Sequence, residues 1–150
     1  MRVIIQRVSE ASVTIDGHIN SAIGSGLLVL AGFEEADENE DLEWMAAKVA
    51  NLRIFTDDKG LMNLSVKEVE GDVIVVSQFT LFAQTKKGNR PSFIRAAKPD
   101  KAIPLYEKFV FLMSKELGKN VGTGEFGADM KVALINDGPV TIHIDSKNRE

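Results

Sequence analysis

Cysteine is absent from the 150 residues, and histidine occurs twice, as His18 and His143. Without a thiol there is no disulfide, no thiol nucleophile and no thiolate zinc site. Two histidines are too few for a multi-histidine metal centre within one chain. The chemistry left open uses hydroxyls, amides, carboxylates, lysine, arginine or groups that a substrate brings, so neither a metal nor another cofactor is expected. Apolar runs are short as well, and none approaches the roughly 20 residues that span a bilayer. At the N-terminus, Met1-Arg-Val-Ile-Ile-Gln-Arg-Val8 breaks its apolar run within a few residues and offers no small-residue cleavage site, unlike a signal peptide. The expectation is a cytoplasmic protein with no membrane partner.

What is present is ordinary for a globular chain, with 44% hydrophobic and 27% charged residues. Length and composition suit a single domain over residues 1–150. Val, Ile, Leu and Phe are too plentiful for a disordered chain of this charge. The formal charge is −4, from 18 basic and 22 acidic side chains, a balance that taken alone speaks against nucleic acid. The distribution says otherwise. Residues 34–43 hold seven acids and no base, while residues 85–101 hold six bases (Lys86, Lys87, Arg90, Arg95, Lys98, Lys101) against Asp100. A local excess of this kind can bind phosphates while the global charge stays negative. Taken blind, a charge cluster of this kind is more often a solvated loop.

Hydrophobic spacing outlines the elements. Val3, Ile4, Ile5 and Val8 mark a short strand over residues 2–8, and Ala11, Val13 and Ile15 alternate with Ser12, Thr14 and Asp16 as a second one. Asp16-Gly17 is a hairpin signal, because a two-residue primed turn needs positive φ, and His18–Ile23 is the returning strand. Gly26–Phe33 is apolar almost throughout, as in a strand buried on both faces. Asp37 with Glu40 three residues on reads as a capping-box variant. Leu42, Met45, Ala46 and Val49 follow at helical spacing, which predicts a helix over about 38–51. The acids at its start fit the macrodipole and need no functional explanation. Asp72–Phe79 reads as a central strand ending in polar residues, and 84–98 as a loop. A second helix is predicted over about 100–117, with Pro104 in its first turn and Gly118 as C-cap. Strands near 129–136 and 140–145 are separated by Asp137-Gly138-Pro139. The sum is an α+β fold, one domain of mostly antiparallel sheet with two main helices.

Standard active-site patterns are missing. Neither histidine has a nucleophile assigned to it by the sequence, and a structural role suits both. A glycosidase-like carboxylate pair cannot be picked from 22 acids without geometry. Gly122-Thr-Gly124 lacks the Gly-Lys-Ser/Thr ending of a P-loop. Two local features stand out. Ser77-Gln78-Phe79-Thr80-Leu81 puts two hydroxyls and an amide where a buried strand emerges, either as plain polar termination or as a site. Asn136-Asp137-Gly138-Pro139-Val140-Thr141 interrupts two strands, either as an ordinary turn or as a Gly-Pro unit with a candidate cis bond.

Together with Met1–Val8 and Lys87-Gly-Asn-Arg-Pro91, these two motifs resemble the D-aminoacyl-tRNA deacylase family, in order and over essentially the whole chain. The resemblance implies hydrolysis of the ester that joins a D-amino acid, or glycine, to the tRNA 3′ end. It implies a homodimer in which Gly138 and Pro139 of one subunit enter the other's site and exclude L side chains with main-chain carbonyls, with Arg7 holding that loop. It implies that Ser77, Gln78, Phe79 and Thr80 form the catalytic pocket, with the Phe79 N–H supporting the developing oxyanion. It further implies water attack assisted by the tRNA 2′-hydroxyl, with Thr80 in support. Phe126 and Met130 match positions that sandwich the terminal adenine; by composition alone both are core residues. Lys86, Lys87 and Arg90 then contact acceptor-stem phosphates. Aminoacyl-tRNA and a second copy of the chain are the implied partners, and DNA is not among them. Two rivals remain at this stage: an RNA-binding module without chemistry, and a hydrolase of small D-amino acid esters.

Overall fold

Asp16 and Gly17 take φ values of 49° and 76° and reverse the chain as the Asp-Gly pair predicts. The strand entering that turn is longer than expected. In the computed structural model, which describes residues 1–150, the segments at 2–8 and 11–15 are one strand, β1 (Arg2–Ile15). Arg7 and Val8 are both buried, so the in-out alternation changes phase there, and pairing irregularities around Val8 absorb the slip. The break in the sequence pattern is a bulge and not a loop.

Beyond the turn come β2 (His18–Ile23), β3 (Gly26–Gly32), α1 (Asn39–Asn51), a small hairpin of β4 (Phe55–Thr56) and β5 (Met62–Leu64), and β6 (Asp72–Ser77). A 3-10 turn (Phe79–Phe82), α2 (Pro99–Leu117), β7 (Gly122–Thr123) and β8 (Met130–Asp145) complete the chain. On one edge β1 takes β3 along its first half and β2 along its second; its other edge takes β8, all antiparallel. The pairings β3–β6 and β6–β7 are parallel. Parallel neighbours need crossovers, and the segments carrying α1 and α2 provide them. Both crossovers step the same way across the sheet, so one handedness places both helices on one face.

That face is the main core. Val3, Ile5, Val29 and Val75 pack against Leu42 and Met45 of α1 and Phe109 and Met113 of α2. Alternate residues point to the other face, where Val8, Val13, Leu28, Ile74 and Val76 form a second cluster roofed by half-buried Met130, Val132 and Leu134. The sheet curls far enough that the Asn20 and Ser21 side chains on β2 donate to the Thr123 carbonyl on β7, at 2.7 and 2.8 Å. No helix is long and apolar enough to cross a membrane.

Two helix details depart from expectation. Asp37 does not cap α1. Glu38 is the N-cap and forms a reciprocal capping box with Asp41, while Asp37 is fully buried and accepts from the Glu34 N–H at 2.8 Å and from the Met1 amine. Either acid could cap on local grounds; the buried amine decides. Pro104 does not lie in the first turn, because α2 already begins at Pro99. Pro99 fills the first-turn position that suits proline, and Pro104 is tolerated on the exposed side of the helix interior.

Asp41 carries a consequence for acid stability. Burial pushes its carboxyl up, yet hydrogen bonds from Lys147 (2.7 Å), the Glu38 N–H (2.9 Å) and Ser146 together hold it down at about 2. An unfolded aspartate titrates near ~3.9, so this contribution is present above that pH and is lost as pH falls toward the native value. Asp41→Asn is expected to lower Tm at neutral pH and to flatten its decline between about pH 5 and pH 2. Thermal melts across that range check this; an unchanged acid slope contradicts the assignment.

Candidate active site

The central strand stops two residues short of the 72–79 span that the sequence predicts. β6 ends at Ser77, and Gln78 leaves the extended conformation (φ −145°, ψ 82°) to start the 3-10 turn. The turn folds down onto Gly32 of β3. A Cβ there would stand 2.8 Å from the Gln78 carbonyl oxygen and 3.1 Å from the Leu81 Cβ, so only glycine admits the approach. The Gln78 N–H donates to the Ala31 carbonyl at 2.7 Å, and its side-chain amide donates to the Thr80 hydroxyl at 2.5 Å. Arg2 braces the far end of the turn. Its Nη1 donates to the Leu81 carbonyl at 3.1 Å, its Nε donates to Asp145 at 2.8 Å, and its guanidinium lies 4.7 Å from the centre of the Phe82 ring.

Ser77, Gln78 and Phe79 line an open groove of about 320 Å³ together with Phe126 and Met130. Residues some fifty positions apart are thus brought together, Met130 packing on the second cluster with Val76 and Phe126 on the main core. Phe126 also leans on Tyr106, with ring centroids 6.2 Å apart. Burial pushes the Tyr106 phenol up to about 12, so it stays neutral and donates to the Val75 carbonyl at 2.7 Å. Thr80 does not line the groove. Its hydroxyl is engaged by Gln78, and no basic side chain stands beside it among its hydrogen-bond partners.

The Gly-Pro segment lies inside an element. Instead of two strands, residues 130–145 are one, β8, paired with β1 along both halves. Gln6 faces Thr141 and Val8 faces Asn136, so a two-residue step in β1 meets a five-residue step in β8. The three extra residues are pushed out of the ladder. The Gly138-Pro139 bond is cis, and both residues are exposed. Asn136 closes the base of the bulge: its amide donates to the Thr141 hydroxyl and its oxygen accepts from the Val140 N–H, both at 2.9 Å. Arg7 bolts the bulge to the body. It is 9% exposed and donates through Nε to the Asp137 carbonyl at 2.9 Å and through Nη1 to the Ile54 carbonyl at 2.6 Å.

Gly138, Pro139 and Arg7 are not brought to the Ser77 groove of their own chain. Strands β8, β1, β3 and β6 lie in that order, and Ser77 is level with Val3 through Ala31, four residues along β1 from Arg7.

Lys86, Lys87 and Arg90 are exposed and line a separate open groove of about 610 Å³ with Gln84, Thr85 and Ser92. Its base is closed by reciprocal backbone bonds between Gln84 and Ser92, at 2.8 and 3.0 Å. The acidic run, read from sequence as a helix-start feature alone, also fastens this segment. Glu34 pairs with Arg95 at 3.1 Å, and the Glu35 carboxylate accepts from the Lys98 N–H at 3.1 Å. His18 and His143 are exposed, and neither lines the Ser77 groove. No group of three or more His, Asp or Glu side chains is placed to hold a metal ion. Sequence reasoning missed Arg2, Gly32 and Tyr106, whose partners lie on other strands and leave no local signal.

A family model described as D-Tyr-tRNA(Tyr) deacylase matches residues 4–145. A D-aminoacyl-tRNA deacylase of Bacteroides fragilis (strain YCH46) is 64% identical over 150 residues, covering 100% of both chains. A solved structure described as c-Myc DNA Unwinding Element Binding Protein superposes with a TM-score of 0.90 at 40% identity, over 97% of this chain and 98% of that one. A second, described as a probable eukaryotic D-amino acid tRNA deacylase, superposes at 0.81 with 20% identity, over 95% and 97%, a likeness of fold.

Proposed function

This chain belongs to the D-Tyr-tRNA(Tyr) deacylase family, and from that premise we propose that it is a cytoplasmic hydrolase of D-aminoacyl-tRNA and of glycyl-tRNA. The observation that carries this is the single groove that Ser77, Gln78 and Phe79 line together with Phe126 and Met130. Phe126 and Met130 take the two faces of the terminal adenine. Ser77 and the backbone at Phe79 then meet the ribose and its ester. As the first residue of the 3-10 turn, Phe79 has an N–H with no partner inside the turn, free to support an oxyanion. Such a donor is worth roughly 2.7–4 kcal/mol. Gln78 holds the turn through Thr80, which keeps Thr80 out of a nucleophile's role. A water adds to the ester carbonyl with the 2′-hydroxyl of the tRNA aiding its deprotonation. The carbonyl–O3′ bond breaks, and O3′ takes the proton to leave free amino acid and tRNA.

Selectivity comes from the bulge on β8. A homodimer in which Gly138 and Pro139 of one subunit reach the groove of the other puts main-chain carbonyls where an L side chain would lie. The D side chain points elsewhere and glycine has none, so discrimination rests on excluding the competitor. This is supported by the bulge's exposure, its rigid anchorage by Arg7 and its place outside the lining of its own chain's groove. Sedimentation of the purified protein tests the dimer; a monomer at assay concentration contradicts the shared site.

Chelator-treated protein is expected to release D-tyrosine rapidly from charged tRNA and to leave L-tyrosyl-tRNA intact. Release of both keeps the esterase and removes the filter. Binding of tRNA with release of neither supports the rival of an RNA-binding module without chemistry, which the same basic groove could serve.

Lys86, Lys87 and Arg90 take acceptor-stem phosphates. Each such contact contributes about 0.7–0.9 to the slope of log affinity against log salt. Replacing all three with glutamine is expected to flatten that slope by about 2–3 with little change at high salt. Titrations of tRNA at several ionic strengths check this, and an unchanged slope removes the loop from the site.

A further inference from the structure

Beside the Ser77 groove, to which Phe79 gives its backbone N–H, lies an exposed apolar feature whose side chains the reaction does not use. Ile94 is 84% exposed and Phe79 is 55% exposed. Phe93 links them, adjoining Ile94 in the chain and meeting the Phe79 ring edge-on with centroids 5.2 Å apart and planes at 81°. Phe79 lines the Ser77 groove, whereas Ser92, the neighbour of Phe93, lines the basic groove. The aromatic pair is therefore the ridge between the two grooves. It is held in place before any ligand arrives. Gln84 and Ser92 pair on one side, the Ala96 N–H donates to the Phe93 carbonyl at 3.0 Å on the other, and Arg95 is tied to Glu34. Rings ordered in advance lose little entropy when they bind.

We propose that Phe79, Phe93 and Ile94 form a platform for the base of the unpaired nucleotide preceding the terminal adenosine of the substrate, an inference that rests on the deacylase reading of the Ser77 groove. The surface runs in the order of an RNA 3′ end. The Phe126 and Met130 wall takes the last base, the ridge takes the one before it, and Lys86, Lys87 and Arg90 follow with the phosphates leading to the duplex. Unpaired bases stack on aromatic and apolar side chains flanked by cations. The ridge side chains present no hydrogen-bonding group, so the platform senses whether a base is present and is indifferent to which one.

The test uses three D-tyrosyl esters: adenosine, the trinucleotide cytidine-cytidine-adenosine, and that trinucleotide with an abasic penultimate residue. With the unmodified protein, kcat/KM for the intact trinucleotide is expected to exceed that for the abasic one by about tenfold. Exchanging the penultimate base should change it by less than about twofold. Phe93→Ala and Ile94→Ser are expected to bring the intact-to-abasic ratio close to one. Ile94 is so exposed that its replacement leaves the fold intact, and Phe93→Leu should retain part of the ratio. A side chain that only propped the 3-10 turn would lower all three esters together and leave the ratio unchanged. That result, or a ratio near one in the unmodified protein, overturns the platform. Turnover of the adenosine ester by the unmodified protein checks the underlying function separately. If it fails, tighter binding of an amide-linked intact trinucleotide than of its abasic form still supports the platform, and equal binding overturns it.

Discussion

Gly138→Ala is expected to lower kcat/KM for D-tyrosyl-tRNA by about 100-fold, the scale of loss that follows when a reacting group is displaced by about 1 Å. Gly138 sits at φ +138°, where a Cβ would stand 2.8 Å from the Val140 Cγ2, 2.9 Å from the Arg7 Nη2 and 3.1 Å from the Val140 nitrogen. Neither neighbour yields cheaply. Val140 is held by its N–H bond to Asn136, and Arg7 by two carbonyls. The tip of the bulge must therefore move, and in the proposed dimer it moves into the space reserved for the substrate. Initial rates with matched D- and L-tyrosyl-tRNA check this. Unchanged rate and unchanged chirality preference would remove Gly138 from the filter.

Arg7→Ala is the second large expectation, because one side chain serves both stability and geometry. Its loss leaves the Ile54 and Asp137 carbonyls without their guanidinium donors. Hydrogen bonds from charged groups contribute about 1.5–3 kcal/mol each, so the urea midpoint should fall clearly. Deacylation should fall by about 100-fold as well, since the bulge loses its bolt. Arg7→Lys keeps the charge but cannot span two carbonyls with one fork, and should rank between the two. Arg7 and Gly138 act through one loop, so the double variant should be little worse than either single one. A destabilised Arg7→Ala protein with normal activity and chirality would make Arg7 a purely structural residue.

Legibility in the sequence followed the range of the interaction. The Asp16-Gly17 turn, the buried β3 run, both helices and the Gly118 cap were readable, because each depends on φ preference or on periodicity within a few residues. The Ser77–Leu81 and Asn136–Thr141 segments were recognisable as motifs, yet their geometry was not. The early end of β6 depends on the bare backbone of Gly32 in another strand. The unity of β1 and of β8 depends on two bulges that face each other, and a residue pattern alone reads a bulge as a break. The capping role passed from Asp37 to Glu38 because the Met1 amine claims the Asp37 carboxylate.

By itself the sequence determined the α+β class, the two amphipathic helices, the basic loop and the polar ending of the central strand. These rest on burial and backbone preference, which adjacent residues record directly. Only the tertiary structure decided that Phe126 and Met130 share a groove with Ser77, that Arg7 bolts the Gly138 bulge, and that this bulge does not line its own chain's groove. Periodicity says which face of a strand is buried; which buried faces meet is set by strand order and curl, where residues far apart in the chain become neighbours.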